Sequence, residues 1–489
     1  MRLDFSNPGK KWKLYASLLS DQKELGLPFP REWTHEDFKL PPNWREIFLK
    51  SMENVLKKYR SVRLFMDLCV HCGACADKCP FFLATRDPHN MPVARQDLFR
   101  SVYKKFFDAS GKLLGTAAGA VKDLDEKVVD DWYTYFYQCS ECRRCGVFCP
   151  YGIDTAEITM AAREVLLSIG LSTKSTTQSI NKCEFIGNHL GIPPAAMANS
   201  LKFMEEELKE EGWDVEIPLN KKGAEILFVT PSADYFGDPH WYTMKGYVKL
   251  FHVLDLDYTL STYASEGGNF GLFLSYEHMK KINAKIYKEA KRLGVKWILG
   301  GECGHMYRVV HNYMGSIHEE PPDFLEEPVS PITGTKFKNA ISTKMVHICE
   351  FTADLIKHGK LKLDPSKNDQ YIVTYHDSCN PTRAMGLIEE PRYILRHVCN
   401  HYVELDPSVN REKTICCTAG GGLLTDECLE LRYQAIKPKI EAIKRAGVNF
   451  LALICAIDKA AFPVYMRHYK LPIRVGGVHE LVGNALVPP

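Results

Sequence analysis

Two short runs in the first third of the chain constrain it more than anything else in the sequence. The first is CVHCGACADKCP, in which Cys69, Cys72, Cys75 and Cys79 are followed by Pro80. The second is CSECRRCGVFCP, with Cys139, Cys142, Cys145 and Cys149 followed by Pro150. Each reads C-x2-C-x2-C-x3-C-P, the spacing that holds a [4Fe–4S] cubane. Three thiolates on one turning loop can take three irons, and the fourth ligand must come from elsewhere in the chain. Zinc sites also use C-x2-C pairs and four thiolates. They have no need of a third cysteine at the same spacing, nor of the proline that ends each loop and leads into the next segment.

In two-cluster ferredoxins the last cysteine of each run crosses to the other cluster. On that pattern Cys69, Cys72, Cys75 and Cys149 form one ligand set, and Cys139, Cys142, Cys145 and Cys79 the other. Between the runs, ARQDLFRSVYKKFFD (94–108) carries apolar residues at helical spacing. This long helical insertion resembles the α-helical ferredoxin modules of succinate dehydrogenase and heterodisulfide reductase. Arg143 and Arg144 inside the second loop are expected either to raise that cluster's potential, to meet an acidic partner, or simply to be solvated.

The chain has 489 residues, of which 17 are cysteine, and this length calls for more than one core. A net charge of +2 argues against attraction of the whole protein to nucleic acid or anionic lipid. No apolar run approaches the roughly 18–20 residues that span a bilayer. The opening stretch MRLDFSNPGKKWKLYASLLSD has Asp4, Asn7 and Pro8 where a secretory signal needs an unbroken apolar segment. The expectation is a cytoplasmic protein without a transmembrane helix of its own, in which cysteines serve metal or redox chemistry rather than disulfides.

From about residue 223 the pattern changes to short β-rich runs alternating with helices, the signature of α/β layers. The runs are AEILFVT (224–230), VKWILGG (295–301), DQYIVTYH (369–376) and VNFLALI (448–454). They fall into a repeat. ILFVTPSA (226–233) answers YIVTYHDSC (371–379), YASEGGNFGLF (263–273) answers ICCTAGGGLL (415–424), and AKRLGVKWILGGECGHM (290–306) answers IKRAGVNFLALICAIDK (443–459). Three matches in one order indicate a tandem duplication. The second copy has Cys379, Cys416, Cys417 and Cys455 at the ends of its strand-like segments. The first keeps only Cys303, in the place of Cys455.

A cysteine, an adjacent pair some 35 residues on and a further cysteine resemble the cysteine-rich CCG domain of the heterodisulfide reductase family. Here Thr418 and Ala419 precede the glycines, and Asp458 stands where the family's last cysteine falls. Two ferredoxin runs ahead of two such domains resemble the HdrD-type catalytic subunit, and CCTAGGG with GGECGHM resembles most the DsrK type of the membrane complex DsrMKJOP. The resemblance implies a multi-domain fold, an α-helical ferredoxin module followed by two tandem α/β CCG domains. The expected parts are an N-terminal helical docking segment (1–60), the ferredoxin domain (61–160), a helical linker (161–222), a degenerate CCG domain (223–345) and a cysteine-retaining one (346–489). It also implies three cofactors, two cubane [4Fe–4S] clusters and one noncubane [4Fe–4S] cluster on Cys379, Cys416, Cys417 and Cys455. Cys303 is the candidate for the fifth ligand, with a structural thiol as the alternative. Gly420, Gly421 and Gly422 would let the backbone approach that cluster.

The activity implied is heterodisulfide reductase-like. Quinone-pool electrons would pass through the cubanes to a disulfide or trisulfide on a DsrC-type sulfur carrier, or the reverse in a sulfur oxidiser. Partners would be a DsrM-like membrane cytochrome b and the other DsrMKJOP subunits, at the inner face of the cytoplasmic membrane. His305 and His376 are candidate proton donors, or else core histidines. Cys183, Cys349, Cys399 and Cys428 read as buried hydrophobes, and His347 as part of a structural helix. Two other readings remain: an electron-transfer subunit of a lactate, glycolate or glycerol-3-phosphate oxidation complex, and a non-catalytic electron wire without a third centre.

Overall fold

Trp44, Phe48, Met52 and Val55 recur every three or four residues, so the segment Trp44–Lys58 coils with one apolar stripe, which is buried. The structure, a computed structural model, describes residues 40–265, 269–317, 322–424 and 428–488. Of the expected docking segment, residues 1–39 lie outside the described residues. The helix that follows them spends its apolar face on the core of its own unit.

The chain divides into two compact units. The first comprises Met1–Asn181, Leu272–Tyr276 and Thr418–Pro438. Its core is helical, and helix Thr155–Ser168 packs against Trp44–Lys58, Pro92–Phe107 and Glu126–Phe136. Trp132 is the hub, with the rings of Phe48 and Phe99 at 4.9 and 5.1 Å between centroids. Pro80 and Pro92 each occupy the first helical turn, where the missing N–H costs nothing. The helix expected over 94–108 is thus Pro92–Phe107.

The second unit comprises Lys182–Gly271, Glu277–Cys417 and Lys439–Pro489. It contains two small parallel sheets. One runs β2-β1-β3-β4, with β1 (Ile226–Val229), β2 (Tyr258–Thr259), β3 (Trp297–Gly300) and β4 (Met345–His347). The other runs β5-β6-β7, with β5 (Val373–Tyr375), β6 (Phe450–Leu453) and β7 (Arg474–Gly477). In β1, Ile226 and Phe228 face one apolar core while Leu227 and Val229 face another, as the two-residue period of a strand covered on both faces demands. The first of those cores continues beneath both sheets, through Trp297, Val346, Val373 and Phe450. Met197, Leu201, Met204 and Leu208, in the segment expected as a linker, fill this core.

Among the described residues no helix is long and apolar enough to cross a membrane. His347 is the N-cap of helix Ile348–Lys357: its ring accepts from the Cys349 N–H at 3.1 Å, and Glu350 accepts from the His347 N–H at 3.0 Å.

Candidate metal centres

In the helical unit the two cysteine runs form loops that turn by positive φ at His71, Gly73, Glu141 and Arg143. Cys69, Cys72, Cys75 and Cys149 line one partly open cavity, together with Cys145, Val93 and Gln96. Burial pushes the Cys75 thiol up to about 11, with Cys69 and Cys149 close enough to add to the rise. Cys145 is raised well above an ordinary thiol by burial, then by its neighbours Cys142, Cys139 and, more weakly, Cys79. Cys75 thus has Cys69 and, from the other run, Cys149 for neighbours, while Cys145 has Cys142, Cys139 and, from the other run, Cys79.

Hydrogen-bond donors are aimed at these sulfurs. The backbone N–H of Val93 serves Cys75, the N–H of Glu141 reaches the Cys139 sulfur at 3.4 Å, and the Thr155 hydroxyl serves Cys145. Four soft donors with N–H and O–H groups turned toward them are the environment in which iron–sulfur clusters sit. Burial alone keeps such thiols protonated, and a cationic iron group makes thiolates of them. The residues fit the group.

Arg143 and Arg144 are engaged within the unit rather than solvated. Arg143 pairs with Asp154 at 2.7 Å, and Arg144 donates to the Lys78 carbonyl at 2.7 Å beneath the Phe148 ring. A sharper charge was overlooked: Arg163, fully buried in helix Thr155–Ser168. It donates to Glu141 at 2.9 Å and to the carbonyls of Phe136, Cys139 and Gly421 at 2.8 Å. The lone arginine in the apolar run ITMAAREVLL (158–167) was the available signal. Arg163 holds the glycine run against the second loop. At Gly421, φ is +64° and an added Cβ would lie 2.6 Å from the Cys139 carbonyl oxygen. The close approach Gly421 permits is to this loop, within the helical unit.

In the α/β unit two cysteines sit where strands hand over to helices. Cys379 opens helix Cys379–Met385 just after β5, and Cys455 is the N-cap of Ala456–His468 just after β6. The β5 side is braced by Asp377, whose carboxylate takes both Arg392 nitrogens at 2.6 and 2.8 Å and the Arg411 N–H at 2.7 Å. Arg411 begins the turn that leads to Cys416 and Cys417, so one buried carboxylate ties two cysteine-bearing segments together.

Cys379, Cys417 and Cys455 converge with Asp458. Burial raises Cys417 well above an ordinary thiol, and Asp458, Cys379 and Cys455 add to the rise. Cys455 is pushed up to about 12 by burial, then by Asp458, although the N–H groups of Asp458, Gly304 and Ile457 point at its sulfur. Asp458 is itself raised to about 6 by burial, against hydrogen bonds from Cys417 and from the Ser378 hydroxyl at 2.6 Å. Here too the donor set, buried thiols with N–H groups turned on Cys455, suits an iron–sulfur group.

His305 Nδ1 stands 3.8 Å from the Cys455 sulfur, and burial, then Arg308, pushes its ring down to about 3. His376 lies 3.6 Å from Asp458, edge-on to Phe462, and is held neutral by burial. Cys416 is buried beside Cys417. Cys303 is buried in the apolar cluster of Leu227, Val229, Met306 and Met345. Cys183, Cys349, Cys399 and Cys428 are also buried.

Residues 65–153 match the family model of the 4Fe–4S dicluster domain, and residues 373–457 that of the cysteine-rich domain. The Hdr-like menaquinol oxidoreductase iron–sulfur subunit 2 of Archaeoglobus fulgidus is 50% identical, across 96% of this chain and 88% of its own length. The corresponding iron–sulfur subunit of Archaeoglobus profundus is 49% identical, across 97% and 90%. A dihydromethanophenazine:CoB–CoM heterodisulfide reductase subunit of Methanosarcina mazei is 24% identical, across 88% and 96%. With its paired cysteine loops and its strand-end cysteines, the chain belongs to the HdrD-like family of Hdr-like menaquinol oxidoreductase iron–sulfur subunits.

Proposed function

We propose that this chain is the catalytic subunit of a membrane redox complex that exchanges electrons between the menaquinol pool and a sulfur–sulfur bond. The observation that carries the reading is the convergence of Cys379, Cys417 and Cys455 in a unit separate from the eight cysteines of the two loops. Cys69, Cys72, Cys75 and Cys149 would hold one cubane, and Cys139, Cys142, Cys145 and Cys79 the other. Cys379, Cys416, Cys417 and Cys455 would hold the noncubane centre. Cys303 is the candidate fifth ligand from the other half of the unit, although Asp458, hydrogen-bonded to Cys417, stands closer to the place the family gives its last cysteine. When bound, the cubanes conduct single electrons and the third centre turns them into the cleavage of a disulfide or trisulfide.

The chain's own residues shape that step. The buried strand ends keep water from the thiols. His305, against Cys455, can offer its ring N–H to sulfur there. Asp458, hydrogen-bonded to Ser378 and Cys417, can pass a proton to Cys417, with His376 standing 3.6 Å from its carboxylate.

The strand orders support the tandem duplication. β1 pairs with β3 and β3 with β4, as β5 pairs with β6 and β6 with β7, all in parallel. Tyr402 bridges to Val373 where β2 pairs with β1. On this reading the two CCG domains are 223–345 and 346–489, after the ferredoxin domain (61–160). The substrate would be a DsrC-type carrier and the electron partner a DsrM-like cytochrome b, with the chain at the cytoplasmic face of the membrane.

Iron and acid-labile sulfide per chain test the reading in anaerobically purified protein and in the Cys416→Ala/Cys417→Ala variant. Three clusters in the parent and two in the variant are expected. Two in both would leave an electron wire in place of a catalyst.

A further inference from the structure

Four arginines lie on or against the second cysteine loop, and three of them are already engaged. Arg163 is matched by Glu141, Arg143 by Asp154 and Glu157, and Arg144 is taken up by the Lys78 carbonyl and the Phe148 ring. The fourth is Arg95, on helix Pro92–Phe107, of which 1% is exposed. Its Nε donates to the Tyr135 carbonyl at 2.8 Å and its Nη2 to Asn90 Oδ1 at 2.8 Å. Asn90 is itself fully buried, and its amide donates to Gln138 at 2.9 Å and Thr85 at 3.2 Å, so the guanidinium is locked in place. Its remaining contact is a hydrogen bond to Cys79, with Cys139 and Cys145 close enough to add to the charge interaction. Among the described residues no carboxylate forms an ion pair with Arg95. Nor does any arginine or lysine line the cavity of Cys69, Cys72, Cys75 and Cys149.

A guanidinium in a dry core needs a counter-charge. Three cysteines of one set supply it when they are thiolates. Conversely, a fixed cation hydrogen-bonded to a cluster's sulfur favours the form that carries one more electron. Resting on the cubane assignment above, we propose that Arg95 is a positioning residue that makes the cubane of Cys79, Cys139, Cys142 and Cys145 the higher-potential one of the pair. The asymmetry is built into the core: one cluster faces a locked positive charge and the other faces Gln96 and Val93.

The test is an anaerobic redox titration followed by electron paramagnetic resonance on the full chain. Parent, Arg95→Gln and Arg95→Lys proteins are compared, with iron counted in each. Signals are assigned with Cys72→Ser and Cys142→Ser proteins, each altered at one cubane. In Arg95→Gln the midpoint of the Cys142-dependent signal should fall, by about tenfold in the reduced-to-oxidised ratio at fixed potential, about 59 mV for a one-electron couple. The Cys72-dependent midpoint should stay put, and Arg95→Lys should recover most of the fall. Unchanged midpoints, or both midpoints moving together, would overturn the proposal. So would loss of the Cys142-dependent cluster in both Arg95→Gln and Arg95→Lys, which is the mark of a merely structural residue. A parent without two separable cubane signals would instead sink the cubane assignment itself.

Discussion

The two units keep their cysteines in opposite ways. In the helical unit the cysteines ride on loops, and of the eight only Cys79 is buried while Cys72 is exposed. In the α/β unit Cys303, Cys379, Cys416, Cys417 and Cys455 are all buried, with Cys303, Cys379 and Cys455 just after short parallel strands. A loop with tight cysteine spacing can wrap a cluster locally and leave it near solvent, where an electron partner can approach. Strand ends and the turn before Cys416 draw buried thiols from segments far apart in sequence, where on the proposed function a reacting sulfur would be held and water kept out. On the proposed function, the difference teaches that conduction needs local spacing whereas chemistry on a bound sulfur would need a tertiary site.

The largest test of this contrast is iron content. Cys142→Ala and Cys417→Ala should each cost one cluster, about four irons per chain. On the proposed assignment the former should leave the third centre's signal intact and the latter those of both loop clusters. Loss of all iron from either variant would show that the two kinds of site assemble as one.

Next in size are the buried ion pairs that brace each site. Arg163→Ala removes the cation buried against Glu141, and Arg392→Ala the one buried against Asp377. Each should lower stability by about 3–5 kcal/mol in chemical denaturation. Proteolysis under native conditions should find the new weakness in the helical unit for the first and in the α/β unit for the second.

Acid should separate the units further. Burial pushes His240 and His347 down to about 3 and His311 to about 4, all three in the α/β unit. A depressed pKa means stability that is present above the unfolded value near 6.5 and lost as pH falls toward the folded value. The slope is about 1.4 kcal/mol per pH unit for each histidine. The described histidines of the helical unit, His71 and His89, lie at the surface. Hydrogen exchange at pH 7 and pH 5 should therefore show the α/β unit loosening first, and equal loosening would count against the contrast.

The smallest effect expected is at a helix cap. Asp125 accepts from the Val128 N–H at 3.0 Å at the start of Glu126–Phe136, and Asp125→Ala should cost about 1 kcal/mol without changing iron content.

Much of this was legible in the residues. Apolar spacing located helix Pro92–Phe107 and strands β1, β3, β5 and β6 to within a few residues. It missed β2, β4 and β7, which are two to four residues long and take their strand character from the neighbour they pair with. The glycines after Cys417 were legible as a close approach, but not what they approach. Asp458 was visible only as a missing cysteine, because nothing in CAID says that its carboxylate turns toward Cys417.

The sequence by itself determined the kind of chemistry, since C-x2-C-x2-C-x3-C-P is a statement about local covalent reach and needs no fold to be read. It also determined the change from helical to strand-and-helix architecture, which is a matter of apolar period. Only the tertiary structure decided which charges are buried and what answers them: Arg163 on Glu141, Arg392 on Asp377, Arg95 on Cys79. Such pairings join residues many turns apart, and their strength comes from the exclusion of water, a property of the packed core and not of any stretch of chain.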